Sequence, residues 1–150
     1  MSEFEHICVV PFPLELVAAF FSQPANLERL TPRWLRLRLL DAPGAMRPGA
    51  LLRYRTAPLG LRQTWVVEIA VWDPPYRFAD VQRSGPYRSW EHTHTFAAVE
   101  GGTELRDRIR YRLPGGALAP LADRLGHRAM LSRLFAYRTR RLNELLGAAR

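Results

Sequence analysis

The chain has 150 residues, a formal net charge of +8, 47% apolar and 24% charged residues, which is the make-up of an ordinary globular protein of one-domain length. All 22 basic residues are arginine and the one cysteine is Cys8. This excludes an internal disulfide, a cysteine-rich metal centre, a P-loop lysine and a lysine Schiff base. No apolar run approaches the ~18 residues of a membrane span. The acidic start, Met1-Ser2-Glu3-Phe4-Glu5, has no signal-peptide core, so a cytoplasmic protein is expected.

Taken in chain order, the first strand runs over about 3–10 and stops at Pro11 and Pro13. Pro13 suits a helix start, and Leu14, Val17, Ala18 and Phe21 follow at helical spacing. Pro24 breaks this helix, a second short one is expected over 25–30, and Thr31-Pro32 ends it. Six strands follow. Leu35, Leu37 and Leu39 alternate with Arg36 and Arg38, and Leu52, Tyr54 and Thr56 with Arg53 and Arg55. Trp65, Val67, Ile69 and Val71 define one face of the fourth strand, and Phe78, Asp80 and Gln82 one face of the fifth. Trp90, His92, His94 and Phe96 share a face of the sixth. In the seventh, Leu105, Asp107, Ile109 and Tyr111 alternate with Arg106, Arg108, Arg110 and Arg112, giving one dry and one wet face. After Pro114-Gly115-Gly116 the period changes. Leu121, Leu125, Met130, Leu131, Leu134, Phe135, Leu142 and Leu145 make an amphipathic helix over 120–146, with Arg138 among the arginines of its polar remainder. No linker or repeat divides the chain, so one domain over 1–150 is expected. Short connections make the strands antiparallel, and only the last helix is long enough to cover the sheet, which must curl around it.

This order, together with Val10-Pro11-Phe12-Pro13-Leu14-Glu15-Leu16-Val17, Asn26-Leu27-Glu28-Arg29-Leu30-Thr31-Pro32, Trp72-Asp73-Pro74-Pro75-Tyr76-Arg77-Phe78, Gly85-Pro86-Tyr87 and Trp90-Glu91-His92-Thr93-His94-Thr95-Phe96, resembles the SRPBCC (START-like, polyketide cyclase-like) superfamily. Within it the chain looks like the bacterial ligand-binding group. The resemblance implies an α+β helix-grip fold: a curved seven-stranded antiparallel sheet wrapped around a long C-terminal helix, with two short helices after strand 1. Members of the superfamily bind lipids or act as polyketide cyclases, and fold alone does not choose between these.

Pleat geometry places the inner side chains. A two-residue turn at Gly101-Gly102 would pair Glu100 with Thr103, setting Phe96 opposite Asp107, His94 opposite Ile109 and His92 opposite Tyr111. Asp80 falls beside Trp90 or His92, and Ile69 near Asp80. The expected ligand-binding set is therefore Tyr54, Trp65, Phe78, Asp80, Gln82, Trp90, His92, His94, Phe96, Asp107 and Tyr111. Its polar band (Asp80, Gln82, His92, His94, Asp107) has three readings. The groups satisfy one another, or they orient a ligand, or His94 or His92 acts as a general base held by Asp107 or Asp80. The short helices and the loops at Leu59-Gly60 and Gly115-Gly116 are expected to gate the cavity.

Binding, transport or sequestration of a hydrophobic or amphipathic small molecule, such as a lipid or polyketide-like compound, is the first expectation. A cyclase- or dehydratase-type enzyme using a His/Asp pair is the alternative. His92-x-His94 puts two imidazoles on one face, with Asp107 or Asp80 as a third metal ligand, but two histidines on one strand are too few to assign a metal, and no cofactor is expected. Cys8 reads as a small buried hydrophobe, and His6 and His127 as ordinary surface or interface residues. No serine sits in a Gly-x-Ser-x-Gly elbow. The arginines of the outer faces meet acidic residues such as Glu68 and Glu104 and lack interleaved aromatics, so no specific nucleic-acid partner is expected. The sequence allows a homodimer.

Overall fold

The structure, a computed structural model, describes residues 1–149. In chain order it comprises β1 (Ser2–Val10), α1 (Leu14–Phe21), α2 (Asn26–Arg29), β2 (Arg38–Asp41), β3 (Leu51–Thr56), β4 (Gln63–Asp73), β5 (Arg77–Ser84), β6 (Ser89–Val99), β7 (Gly102–Arg112), α3 (Ala119–Ala122) and α4 (Arg128–Gly147). The seven strands form one antiparallel sheet in the order β1-β7-β6-β5-β4-β3-β2. Consecutive strands pair throughout, except that β1 joins the far edge beside β7. The sheet curves around α4, as the alternating pattern and the family resemblance both imply.

Binary pattern explains the layers. In β7, Leu105, Ile109 and Tyr111 are buried while Arg106, Arg108, Arg110 and Arg112 are exposed. The outer arginines meet carboxylates on neighbouring strands: Arg108 with Glu3 at 2.9 Å, Arg106 with Glu5 at 3.5 Å, and Arg83 with Glu68 at 2.6 Å. Such exposed pairs contribute little stability each but answer much of the basic charge locally. The inner face carries three apolar clusters. One joins Val10, Val17, Leu30, Phe96, Leu105 and Leu142, a second Leu52, Tyr54, Val67 and Ile69, and a third Trp90, Ile109, Tyr111, Leu131 and Phe135.

Four expectations need correction. The stretch 35–39 is strand only in its last two residues. Arg33–Leu35 forms a 3₁₀ turn, Arg36 adopts a left-handed φ of 46°, and β2 begins only at Arg38. The carbonyl of Leu35 is taken by the Ala57 N–H instead of a sheet partner. Second, the β6–β7 register lies two residues from the expected one: Phe96 pairs with Leu105, His94 with Asp107, His92 with Ile109 and Trp90 with Tyr111. Glu100 and Gly101 make the turn, and Gly102 already belongs to β7. Third, β4 bulges between Ile69 and Val71, so Trp72 rather than Val71 faces inward and its ring centroid lies 5.7 Å from that of Phe78. Fourth, the last helix is not regular from Pro120. A π-helical turn over Asp123–His127 takes Asp123 into the core, where Ser2 and Tyr111 donate to its carboxylate and Arg128 pairs with it at 3.4 Å. Leu121 and Leu125, expected to be buried, are 54% and 77% exposed.

The register at Gly102 depends on the absence of a side chain. Its φ is 150°, and a Cβ there would stand 1.9 Å from the Val10 carbonyl oxygen, whereas a Cβ at Gly101 (φ 85°) meets open space. Gly102→Ala should therefore cost about 3 kcal/mol or more in urea unfolding, and Gly101→Ala about 1 kcal/mol from backbone strain alone. Equal costs would contradict this account of the turn.

Candidate functional site

A cavity of about 120 Å³ lies between the inner face of the sheet and α4. Tyr54 of β3, Trp65, Val67 and Ile69 of β4, and Phe78 and Asp80 of β5 form one wall. Trp90, His92 and His94 of β6 and Leu105 and Asp107 of β7 continue it. Phe135, Arg138, Thr139 and Leu142 of α4 form the opposite side, and Pro24, Leu27 and Met46 border it from the short helices and the β2–β3 loop. The loops at Leu59-Gly60 and Gly115-Gly116, expected to gate it, take no part in the lining, and Leu59 is fully exposed.

Strand pairing sets the polar band. His92 and His94 alternate onto one face of β6, facing Asp80 across one strand boundary and Asp107 across the other. His92 Nε2 donates to Asp107 Oδ1 at 2.9 Å. His94 Nδ1 lies 2.8 Å from the same oxygen, close enough for charge attraction but out of line for a hydrogen bond. On the other side, Asp80 Oδ2 stands 3.5 Å from His94 Nε2 and 4.0 Å from His92 Nδ1. The two imidazole centroids are 3.8 Å apart, and the His94 ring stacks on Phe78 at 4.0 Å and 16°.

These contacts divide the protonation states. Burial is the largest influence on His92 and, with the neighbouring His94, lowers its pKa despite Asp107. Burial also opposes charge on His94, but its contacts with Asp107 and Asp80 outweigh that and raise its pKa. Asp107 is resisted by burial yet held well below the usual carboxylate range by the two imidazoles. A neutral His92 must carry its proton on Nε2, because Asp107 there requires a donor. The arrangement thus favours a proton on His94 beside the Asp107 carboxylate and disfavours one more on His92, so that His94 Nε2 is placed to hold a proton or to donate to a ligand oxygen.

Asp80, His92 and His94 each present one ligand atom, all within 4.8 Å of one another. This trio could bridge a divalent cation, with Asp107 supporting the imidazoles from behind. The same histidines also have carboxylate partners within the chain, so the cluster is self-consistent without an ion.

Of the expected site residues, Tyr54, Trp65, Phe78, Asp80, Trp90, His92, His94 and Asp107 line the cavity. Gln82, Phe96 and Tyr111 do not. The Gln82 amide donates to the Tyr87 carbonyl at 2.7 Å and braces the β5–β6 turn. Phe96 packs in the cluster around Val10 and Leu142, and Tyr111 donates its hydroxyl to Asp123. All three share the inner face with the cavity residues but take no part in its lining. Cys8 is half-buried and lines the cavity, where burial pushes its thiol pKa up. His6 bonds Thr139 Oγ1 at 3.0 Å and is no free surface residue, and the His127 ring centroid lies 5.0 Å from that of Tyr111.

Arg138 is the residue that sequence reading assigned to the wrong side. It occupies the core-facing position of α4 between Phe135 and Leu142, three and four residues away. That spacing was the available signal, and its charge concealed it. The side chain is partly exposed, but Nε is enclosed without a hydrogen bond.

The architecture is that of a helix-grip protein whose sheet and helix enclose a partly polar cavity. A family model described as polyketide cyclase / dehydrase and lipid transport matches residues 10–135, and the chain belongs to that family. Among solved structures it is similar to protein Ms6760 from Mycobacterium smegmatis, with 19% identity, TM-score 0.74, and 99% of this chain and 92% of that one covered. It is similar also to TTHA0849 from Thermus thermophilus, with 20% identity, TM-score 0.74, and 99% of each chain covered. A START superfamily protein from Mycobacterium smegmatis aligns over 99% of both chains at 11% identity and TM-score 0.72. At these identities the likenesses establish the fold. No curated protein matches the chain in sequence. Among the described residues, no helix is long and apolar enough to cross a membrane.

The electrostatics give a pH prediction. Because the folded chain holds Asp107 below its unfolded pKa, Asp107 stabilises the fold above the ordinary carboxylate range, and this is lost as pH falls through its folded value. Asp107→Asn should cost about 3 kcal/mol at neutral pH and flatten the acid limb of the stability profile. The histidines act in opposite senses. The contribution of His94 is present below its unfolded pKa and lost as pH rises through the folded one. His92, depressed, costs stability as pH falls below its unfolded pKa. Imidazole NMR titration should find the His94 pKa raised and the His92 pKa lowered from the ordinary histidine value, and the reverse order would overturn the assignment.

Proposed function

We propose that this protein binds a small hydrophobic or amphipathic molecule between its sheet and α4. The observation that carries this reading is the cavity itself: aromatic and aliphatic walls converging on a compact polar band, the usual form of a small-molecule site. Family membership supports it, since the family is described by cyclase, dehydrase and lipid-transport activities. The size narrows the ligand. About 120 Å³ of space suits one aromatic ring or a short chain, given that an apolar cavity of roughly 150 Å³ accepts benzene.

The His92–Asp107 hydrogen bond and the paired His94 favour a second reading, in which the same cavity performs proton transfer of the cyclase or dehydratase type. His94 would move the proton and Asp107 would position it. His94→Ala should then abolish turnover of a bound substrate while sparing its affinity, whereas a parallel loss of both assigns His94 to binding alone.

Thermal unfolding against a panel of short-chain and single-ring acids and alcohols tests the binding reading. A ligand at 100 times its Kd should add about 2.7 kcal/mol to the stability of the wild type. Val67→Phe, which fills the cavity, should remove that gain. No shift with any member of the panel, or gains that survive Val67→Phe, would overturn the reading.

A further inference from the structure

The cavity contains polar groups in unequal supply. Its acceptors face cations or donors already present: Asp107 Oδ1 holds both imidazoles, and Asp80 Oδ2 faces His94 Nε2 at 3.5 Å. Among the described residues three enclosed nitrogens of the cavity make no hydrogen bond: His94 Nδ1, which Asp107 answers by charge at 2.8 Å, and Arg138 Nε and Trp65 Nε1, which have no ion-pair partner. Arg138 pairs with no carboxylate among the described residues, although two carboxylates share the cavity with it. Its guanidinium is held instead over the Phe135 ring, with Cζ 5.1 Å from the centroid. A cation placed on the apolar face of α4 costs stability unless an anion answers it. Among the described residues the imidazoles have a carboxylate at ion-pair distance and Arg138 has none, and the more distant Asp107 and Asp80 offset only part of its burial.

We propose that Arg138 anchors the acidic group of the ligand, so that the molecule this cavity takes is a small hydrophobic carboxylic acid. This rests on the binding reading above and names its ligand class. The guanidinium fork presents paired N–H donors that match the two oxygens of a carboxylate. The hydrocarbon part then lies against Ile69, Phe78 and Trp90 on the opposite wall. A neutral carbonyl compound would fill the space but leave the charge unanswered. A phosphate monoester would bring a second negative charge towards Asp80 and Asp107, so a single carboxylate is the better match.

Matched probes test this: octanoate against 1-octanol, 3-phenylpropanoate against 3-phenylpropan-1-ol, and octyl phosphate, titrated calorimetrically into wild type, Arg138→Gln and Arg138→Lys. The wild type should bind each acid at least about tenfold more tightly than its alcohol, the difference expected of one charge-assisted contact. Arg138→Gln should erase that preference while measurable alcohol binding persists, and an unchanged circular dichroism spectrum shows that the variant is folded. Arg138→Lys should keep part of it, since the charge stays and the fork is lost. Equal affinity for acid and alcohol in the wild type, or a preference that survives Arg138→Gln, overturns the role of Arg138 and leaves the binding reading intact. Tighter binding of octyl phosphate than of octanoate overturns the carboxylate assignment. If neither acids nor alcohols bind the wild type, the binding reading falls and this inference with it.

Discussion

A carboxylate buried between two imidazoles is the interaction on which this inner face depends. Asp107, His92 and His94 are ionisable groups on a largely apolar sheet face, and burying any of them alone would be strongly unfavourable. Together they hold charge where it is needed: Asp107 remains anionic because the imidazoles are beside it, and His94 attracts a proton because Asp107 and Asp80 flank it. The antiparallel pairing of β5, β6 and β7 makes this arrangement, because it puts residues from three strands abreast on one face. The three apolar clusters surround the band and keep water from competing with it.

The helix side of the cavity is built differently. Leu131, Leu134, Phe135, Leu142 and Leu146 bury a stripe of α4 against the sheet, and Arg138 falls within that stripe. An interior of this kind tolerates a charge when something answers it, and here the sheet-side carboxylates are already engaged with histidine. The result is a cavity with a balanced wall and an unanswered one. That asymmetry orients the proposed ligand: acid towards α4, hydrocarbon towards the aromatics of β4, β5 and β6. It also gives the histidine cluster a chemical context, since a proton held at His94 Nε2 would sit on the wall opposite the anchored group.

Family and fold restrict the function without selecting it. Helix-grip proteins share a sheet, a long helix and a space between them, and the residues that line the space decide what enters and whether it reacts. In this chain Trp65, Phe78, Trp90 and Phe135 narrow the space to about 120 Å³. Trp65 meets Trp90 at 5.1 Å and Phe78 stacks on His94 at 4.0 Å, so ring contacts brace the sheet wall. A ligand must fit the gap these rings leave.

Much of the fold was legible in the chain because period-2 alternation is a local property. Leu105 to Arg112 and Leu52 to Thr56 declare their inner and outer faces without reference to anything else, and His92, His94, Asp80 and Asp107 could be placed together on that ground. What alternation does not contain is register and the ends of the cavity. The two-residue slip at Gly102 was set by the approach of Val10 from β1, about ninety residues earlier in the chain, and the bulge in β4 brought Trp72 inward by the same kind of long-range fit. Gln82, Phe96 and Tyr111 share the correct face yet fall outside the cavity, because turn bracing, the α1 cluster and Asp123 claim them. Sequence alone thus determined the layers, the inner face and the polar band. Tertiary structure decided which of those residues meet a common space, and it turned Arg138 from one arginine among 22 into a cation lining that space with no ion-pair partner among the described residues, because only packing against the sheet determines which side of α4 is inside.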